Sequence, residues 1–441
     1  MAKISLRTFA PILAGVAVGG VVGWLFLGKS RQSLPPPSAV SPSLISSPTS
    51  APRLSGPDYE PISIGAPIET FGRPLVTHVQ VADLDQDGLI DVLYCEAQLN
   101  TVRWIRQAPR GVFTEKIVAT EVAGPAHVDT ADLYGNGRLD ILVASMGQIA
   151  PNNSRIGTVL VLEQKSDGAF TKHELITNTT RVSDLRAANL SGHADGRLDL
   201  IVGQFGYDQG EVRWMRNEGD WNFTSQIVNT QSGTVHTPVA DFDGDGTPDF
   251  AALITQEWEE VHLFTNQTNG EFSDSVLWAS SNEDYGSSGL EVADLNQDGR
   301  PDLIYTNGDG FDYSVRGPRP WHGMQWLENL GDGKFAYHHV GDLAGAFAPS
   351  AADINGDGHL DLIAVSGYGD WSNDETVTLM AWLNDGAQNF TPWPMATTPI
   401  QLITAAVGDL DGNGVPVIVT GGFHTFPPYE RMSSVTLWRR R

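Results

Sequence analysis

Between Tyr59 and Trp438 the chain alternates apolar and polar residues in short runs of period two, and no stretch keeps the 3.6-residue period of an amphipathic helix. One unit shows the order. His78 to Ala82 alternates, an acidic loop follows, and Asp91 to Tyr94 then runs apolar. Val102 to Ile105 and Phe113 to Val118 complete the unit, so the pattern predicts four consecutive strands. Glycine-containing turns such as Ser166–Ala169 and Gly331–Lys334 predict tight connections between third and fourth strands.

The unit repeats. Val81–Asp91 recurs as Ala131–Asp140, Ala188–Asp199, Ala240–Asp249, Ala293–Asp302, Ala352–Asp361 and Gly408–Val417, which makes seven copies. Their leading residues, Asp83, Asp132, Asn189, Asp241, Asp294, Asp353 and Asp409, lie 49, 57, 52, 53, 59 and 56 residues apart, a period that holds one four-stranded blade. The last copy stops after a third strand, Ser434 to Trp438, and Tyr59-Glu-Pro-Ile-Ser-Ile64 resembles the fourth-strand sequence Phe113–Val118. The expected fold is all-β: a seven-bladed β-propeller of four-stranded blades over residues 59–441, closed by pairing of its N- and C-terminal strands.

Ahead of the repeats, Phe9 to Leu27 is a run of 19 residues without a charge, just long enough to span about 30 Å of hydrocarbon as a helix. After a short tail, residues 1–8, it reads as a transmembrane signal anchor at 9–27; Ala17-Val18-Gly19 also fits a cleavage site, which would make the protein secreted. Residues 28–58 form a Pro/Ser-rich linker, with 9 Ser and 7 Pro in the 28 positions from Ser30 to Pro57. Either processing route places the propeller on the extracytoplasmic side, in a periplasm or at a cell surface.

The charge sharpens this. Lys and Arg total 27 against 53 Asp and Glu, a net −26 that excludes nucleic acid as a partner, because polyanions bind through clustered cations. The single Cys95 cannot form an internal disulfide, which leaves packing, repetition and metal to stabilise the body. A tight loop that presents oxygen ligands at positions 1, 3, 5 and 9 with Gly at 6 suits calcium, which takes six to eight hard oxygens. Four loops fit fully: Asp83, Asp85, Asp87, Asp91; Asp241, Asp243, Asp245, Asp249; Asp294, Asn296, Asp298, Asp302; and Asp353, Asn355, Asp357, Asp361. Three depart. The second has Tyr134 at position 3, the third is longer and carries Ser191 and His193, and the seventh ends in Val417, so weak or empty sites are expected there. About four structural calcium ions are expected.

These residues resemble the FG-GAP and VCBS repeat proteins, whose seven blades are shared with the headpiece of integrin α subunits and with some fungal lectins. The resemblance runs from about Tyr59 to Trp438 and implies calcium in the hairpin between first and second strands of several blades; it implies no single activity.

Up-and-down stranding sends the calcium hairpins to one rim and the loops between second and third strands to the other. The longest of the latter, Thr306 to Gly323, carries Phe311, Tyr313, Arg316, Trp321 and His322; Tyr207, Trp258, Glu259, Tyr368, Trp371, Phe426 and Tyr429 stand on others. Tyr313, Arg316, Trp321, His322 and Trp371 are the candidate ligand face, suited to a protein or a glycan. A second constellation stands five residues before the leading loop residue in the first four units: His78, His127, Asp184 and His236. Gln80, Asp129, Arg186 and Glu291 stand three before, on the same strand face. Two functions follow: a membrane-anchored, calcium-binding recognition or adhesion module, or a propeller enzyme, a polysaccharide lyase or hydrolase, using the channel histidines with a second divalent metal. No catalytic motif in a supporting context demands an enzyme.

Overall fold

The structure is a computed structural model describing residues 58–69, 72–256, 258–267, 270–311 and 317–441. The tail, the segment 9–27 expected to span a membrane and all but the last residue of the linker lie outside the described residues, as do Tyr313 and Arg316. Among the described residues no helix is long and apolar enough to cross a membrane.

Seven antiparallel sheets follow one another. In blade 1 the strands are Val76–Ala82, Asp91–Glu96, Thr101–Gln107 and Phe113–Ala119, paired in chain order. The second strand is buried at every position, matching its apolar run, whereas the fourth keeps an alternating, half-exposed face. Each innermost strand packs against the next around the array, and that of blade 7, Leu402–Gly408, packs against that of blade 1. Blade 7 takes Val417–Gly422 and Val435–Arg440 from the C-terminal end and Tyr59–Ser63 as its outer strand, with Tyr59 opposite Arg440 and Ser63 opposite Thr436.

Apolar side chains interlock between neighbouring sheets. Position 2 of every loop is apolar, and Leu84, Leu133, Leu190, Phe242, Leu295, Ile354 and Leu410 are all buried. Leu84 packs with Leu93 and Cys95 of its own blade and with Ile141 and Val143 of the next. Burying such a side chain stabilises the fold by about 1.5–3 kcal/mol.

Blade 4 departs from the regular pattern. Its inner strand breaks into Thr234–His236 and Val239–Ala240, because Pro238 lacks an N–H and Thr237 gives its own to a neighbouring blade's Asp184.

Candidate functional site: the acidic rim and the channel

The loop geometry starts from position 1. Asp83 accepts the N–H of Asp87 at 3.0 Å and of Gly88 at 2.9 Å on its two oxygens. Asp241, Asp294 and Asp353 repeat this with the residues four and five further on. The turn needs left-handed backbone at position 6, where Gly88, Gly246, Gly299 and Gly358 have φ of 83°, 87°, 85° and 91°. Carboxylate oxygens are thereby drawn inward over a tight turn.

Position 9 sits deepest. Both oxygens of Asp91 accept backbone N–H groups, from Leu84 at 3.3 Å and Gln107 at 2.8 Å. Burial pushes Asp91, Asp249, Asp302 and Asp361 up to about 6, against the hydrogen bonds that favour the charge. The donor chemistry fits calcium: Asp83, Asp85 and Asp87, and likewise Asp241, Asp243 and Asp249, bring ligand oxygens within 4.8 Å of one another. Asp85 Oδ1 is buried with no hydrogen-bond partner. At blades 5 and 6 the position-3 amides of Asn296 and Asn355 donate to Asp298 and Asp357 at 3.1 and 2.8 Å. A 180° turn of either amide would present its oxygen instead.

The three departing loops close by other means. In blade 3 Ser191 donates to Asp199 from both N and Oγ, at 2.8 and 2.5 Å, and His193 Nε2 lies 3.1 Å from its other oxygen. In blade 2 the Tyr134 hydroxyl accepts the Trp221 N–H at 2.8 Å. Blade 7 pairs Asp411 with Arg439 at 2.7 Å and has Val417 at position 9.

A second layer of residues joins blades at this rim and escapes the loop pattern. At or near the end of the third strand of blades 1 to 6 stands a buried amide: Gln107, Gln164, Asn217, Asn266, Asn329 and Asn384. Asn329 Nδ2 donates to Pro301 O of its own blade at 3.1 Å and to Phe242 O of the preceding blade at 2.9 Å. Gln107 does the same across the junction of blades 1 and 7, to Ile90 O at 2.8 Å and Leu410 O at 3.0 Å.

Inside the channel the predicted residues do come together. Inner strands carry a bulge just ahead of His78, His127, Asp184 and His236, which re-aims those side chains. The His78 and His127 rings lie 4.0 Å apart, and His127 Nδ1 is 3.1 Å from Asp184 Oδ1. Asp184 also accepts Thr237 N and Oγ1 at 2.5 and 3.0 Å. Arg186 reaches across, with Nε 3.2 Å from Asp184 Oδ1, Nη2 2.7 Å from Glu291 Oε1 and Nη1 3.7 Å from Asp129 Oδ2. Burial pushes His78 down to about 3, reinforced by Arg186, and lowers His127 and His236 as well, so all three imidazoles are neutral near pH 7. Burial works against ionised Asp184, but the Arg186 guanidinium, helped by the Thr237 N–H bond, outweighs it and keeps its carboxyl far below the usual range.

The positions also tie blades together. Val128 N points to His78 Nδ1 at 3.4 Å, Thr237 N donates to Asp184, and Val79 N donates to the equivalent Thr404 of blade 7 at 2.9 Å. Among the described residues the metal-sized gatherings of carboxylate, thiol and imidazole ligands are the two in the acidic loops; the channel histidines do not form one.

The far rim is only partly open. His322, expected on the ligand face, is 1% exposed and accepts Arg319 N and Gly345 N at 3.3 and 3.2 Å, which corrects that placement. Phe311 turns inward from blade 5 across blades 6 and 7, with ring centroids 4.4 Å from Tyr368 and 5.5 Å from Phe423. Trp321 is half-buried and donates Nε1 to Asp284 O at 3.1 Å, and half-buried Trp371 offers its carbonyl to Arg431 at 2.7 Å. Among the described residues, Tyr207 and Trp258 are the aromatics here that face solvent, at 43% and 40% exposure. Their loops are held: Asp208 accepts Asn153 Nδ2 at 2.6 Å, and buried Glu259 accepts Gly286 N and Ser287 N at 3.1 Å.

Comparison with known proteins adds two findings. The FG-GAP-like repeat family matches residues 83–143, 194–252, 241–305 and 306–364. Integrin alpha pat-2 of Caenorhabditis briggsae is 28% identical over an alignment 216 positions long that covers 42% of this chain and 17% of that protein. The chain therefore spans under a fifth of the length of this relative.

Proposed function

Starting from the premise that the chain belongs to the FG-GAP-like repeat family, we propose that it is a membrane-anchored, extracytoplasmic recognition or adhesion module whose acidic rim holds calcium and whose opposite rim binds a protein. The observation that carries this reading is the division of labour between the rims. One rim gathers carboxylate oxygens at cation-sized spacing, and the other presents Tyr207 and Trp258 on loops each cross-tied to a neighbouring blade. Calcium at about four loops would offset the repulsion of crowded carboxylates and fix the hairpins that frame each inter-blade core. Ring closure through the Tyr59–Ser63 strand then keeps the far rim preorganised, so less entropy is lost when a partner docks. The segment 9–27 would supply the anchor and 28–58 the spacer.

The test is binding of the full chain to a panel of purified extracellular proteins, with calcium and with chelator, beside a Tyr207→Ala/Trp258→Ala double variant. Calcium-dependent binding to a panel member that the double variant loses at unchanged melting temperature supports the reading. No binding, or binding indifferent to both changes, overturns it.

Glycan recognition is the second reading, favoured by a groove between blades 2 and 3 lined by Tyr134, Glu163, Asp195, Arg197 and Trp221. The enzyme reading has less support, because Arg186 and its carboxylates engage one another across the channel.

A further inference from the structure

One third-strand position, the residue just before the buried amide, faces ligand position 3 of its own blade's loop. In blade 1 it is Arg106, whose Nε bonds Asp85 and whose Nη2 lies 2.9 Å from Asp87 Oδ2. Strand register places Arg439 at the same position in blade 7, 2.7 Å from Asp411. In blade 5 it is Glu328: one oxygen accepts Asn296 Nδ2 at 3.3 Å and the other lies 2.8 Å from His338 Nε2. Blades 4 and 6 carry neutral Thr265 and Leu383 there.

The charges follow a logic. Blade 4 has four loop carboxylates and a neutral neighbour. Blade 5 has lost one carboxylate to Asn296, and Glu328 restores the total to four. Blade 6 has three beside an apolar neighbour, and blade 1 has four with a guanidinium laid on two of them. Calcium affinity in oxygen loops rises with ligand charge and falls when a resident cation must be displaced.

We propose that this third-strand position sets the order in which the loops take up calcium: Glu328 raises blade 5 to the rank of blade 4, and Arg106 makes blade 1 the last of the four to fill. Its guanidinium is the counter-ion of Asp85 and Asp87 until calcium displaces it. Blade 1 borders blade 7, where both ends of the described chain meet, so the junction becomes the most calcium-sensitive part of the ring. This rests on the calcium reading above.

The test is calorimetric calcium titration of the full chain, with ions counted by native mass spectrometry, for wild type and for Arg106→Gln, Arg106→Lys and Glu328→Gln. Wild type is expected to show one step about tenfold weaker than the rest, a separation of the kind that one charge contact makes. Arg106→Gln removes that weak step and lowers the melting temperature in chelator, Arg106→Lys keeps both at wild-type values, and Glu328→Gln drops one of the two tightest steps to the affinity of blade 6. A weakest step that Arg106→Gln leaves within about twofold overturns the proposal while four bound ions leave the calcium reading standing. A wild-type chain that takes up no calcium at millimolar concentration brings down the calcium reading itself.

Discussion

Replacing Asn329 with Ala removes a side chain that joins two blades. Its Nδ2 holds Phe242 O at 2.9 Å and Pro301 O at 3.1 Å, and its Oδ1 accepts Gly331 N at 3.0 Å, all from a fully buried position. Leaving the buried Phe242 carbonyl unpaired costs about 1–3 kcal/mol, and each more accessible bond adds about 0.5–1.5 kcal/mol. The expected loss is about 2–6 kcal/mol. Asn329→Asp separates packing from hydrogen bonding, since the shape is kept while an acceptor replaces the donor against two carbonyls. At pH 7 it should be at least as damaging as Asn329→Ala, and it should recover as pH falls and the carboxyl gains a proton that it can donate. The assay is equilibrium denaturation followed by tryptophan fluorescence, with exposed Asn222→Ala as reference. A change within about 0.5 kcal/mol for Asn329→Ala, or Asn329→Asp as stable as wild type at pH 7, would refute the clamp.

Removing the guanidinium of Arg186 leaves Asp129, Asp184 and Glu291 facing one another, so Arg186→Ala should destabilise by about 3–5 kcal/mol in denaturation, with partial rescue by Lys. His262 titrates high in the fold: burial disfavours its cation, but Asp274 at 2.8 Å and Glu260 at 3.0 Å outweigh it. The native state therefore binds its proton more tightly than the unfolded chain, and the stability difference between wild type and His262→Gln should be full below about pH 6.5 and shrink as pH rises through the raised folded value. An equal difference at pH 5.5 and 9 would contradict this. Chelation should lower the melting temperature, because each site held at a hundred times its dissociation constant contributes about 2.7 kcal/mol; an unchanged melt in EGTA argues against structural calcium.

Much of the fold was legible because its signals are local. Spacing of the leading acidic residues marks the blades, and the apolar run after each loop marks a strand that the structure buries throughout. The buried amides were hidden for a physical reason. They follow the position-9 Asp by 16, 24, 18, 17, 27 and 23 residues, because the far-rim loop between them varies in length. Aligned on the acidic loop they scatter; only strand pairing brings them, and with them Arg106 and Glu328, into register. The channel set was visible at a fixed offset, but its use as links between blades depends on bulges that no single-strand pattern encodes. The far-rim aromatics were ambiguous from sequence: whether Phe311 or His322 faces solvent is decided by neighbouring blades.

Anomalous diffraction from crystals of the protein grown in calcium tests the central claim most directly, since it locates each ion. Peaks are expected within the loops that begin at Asp83, Asp241, Asp294 and Asp353, with none at Asp132 or Asn189. Vacant loops at the first four positions, or ions bound instead at blades 2 and 3, would contradict it.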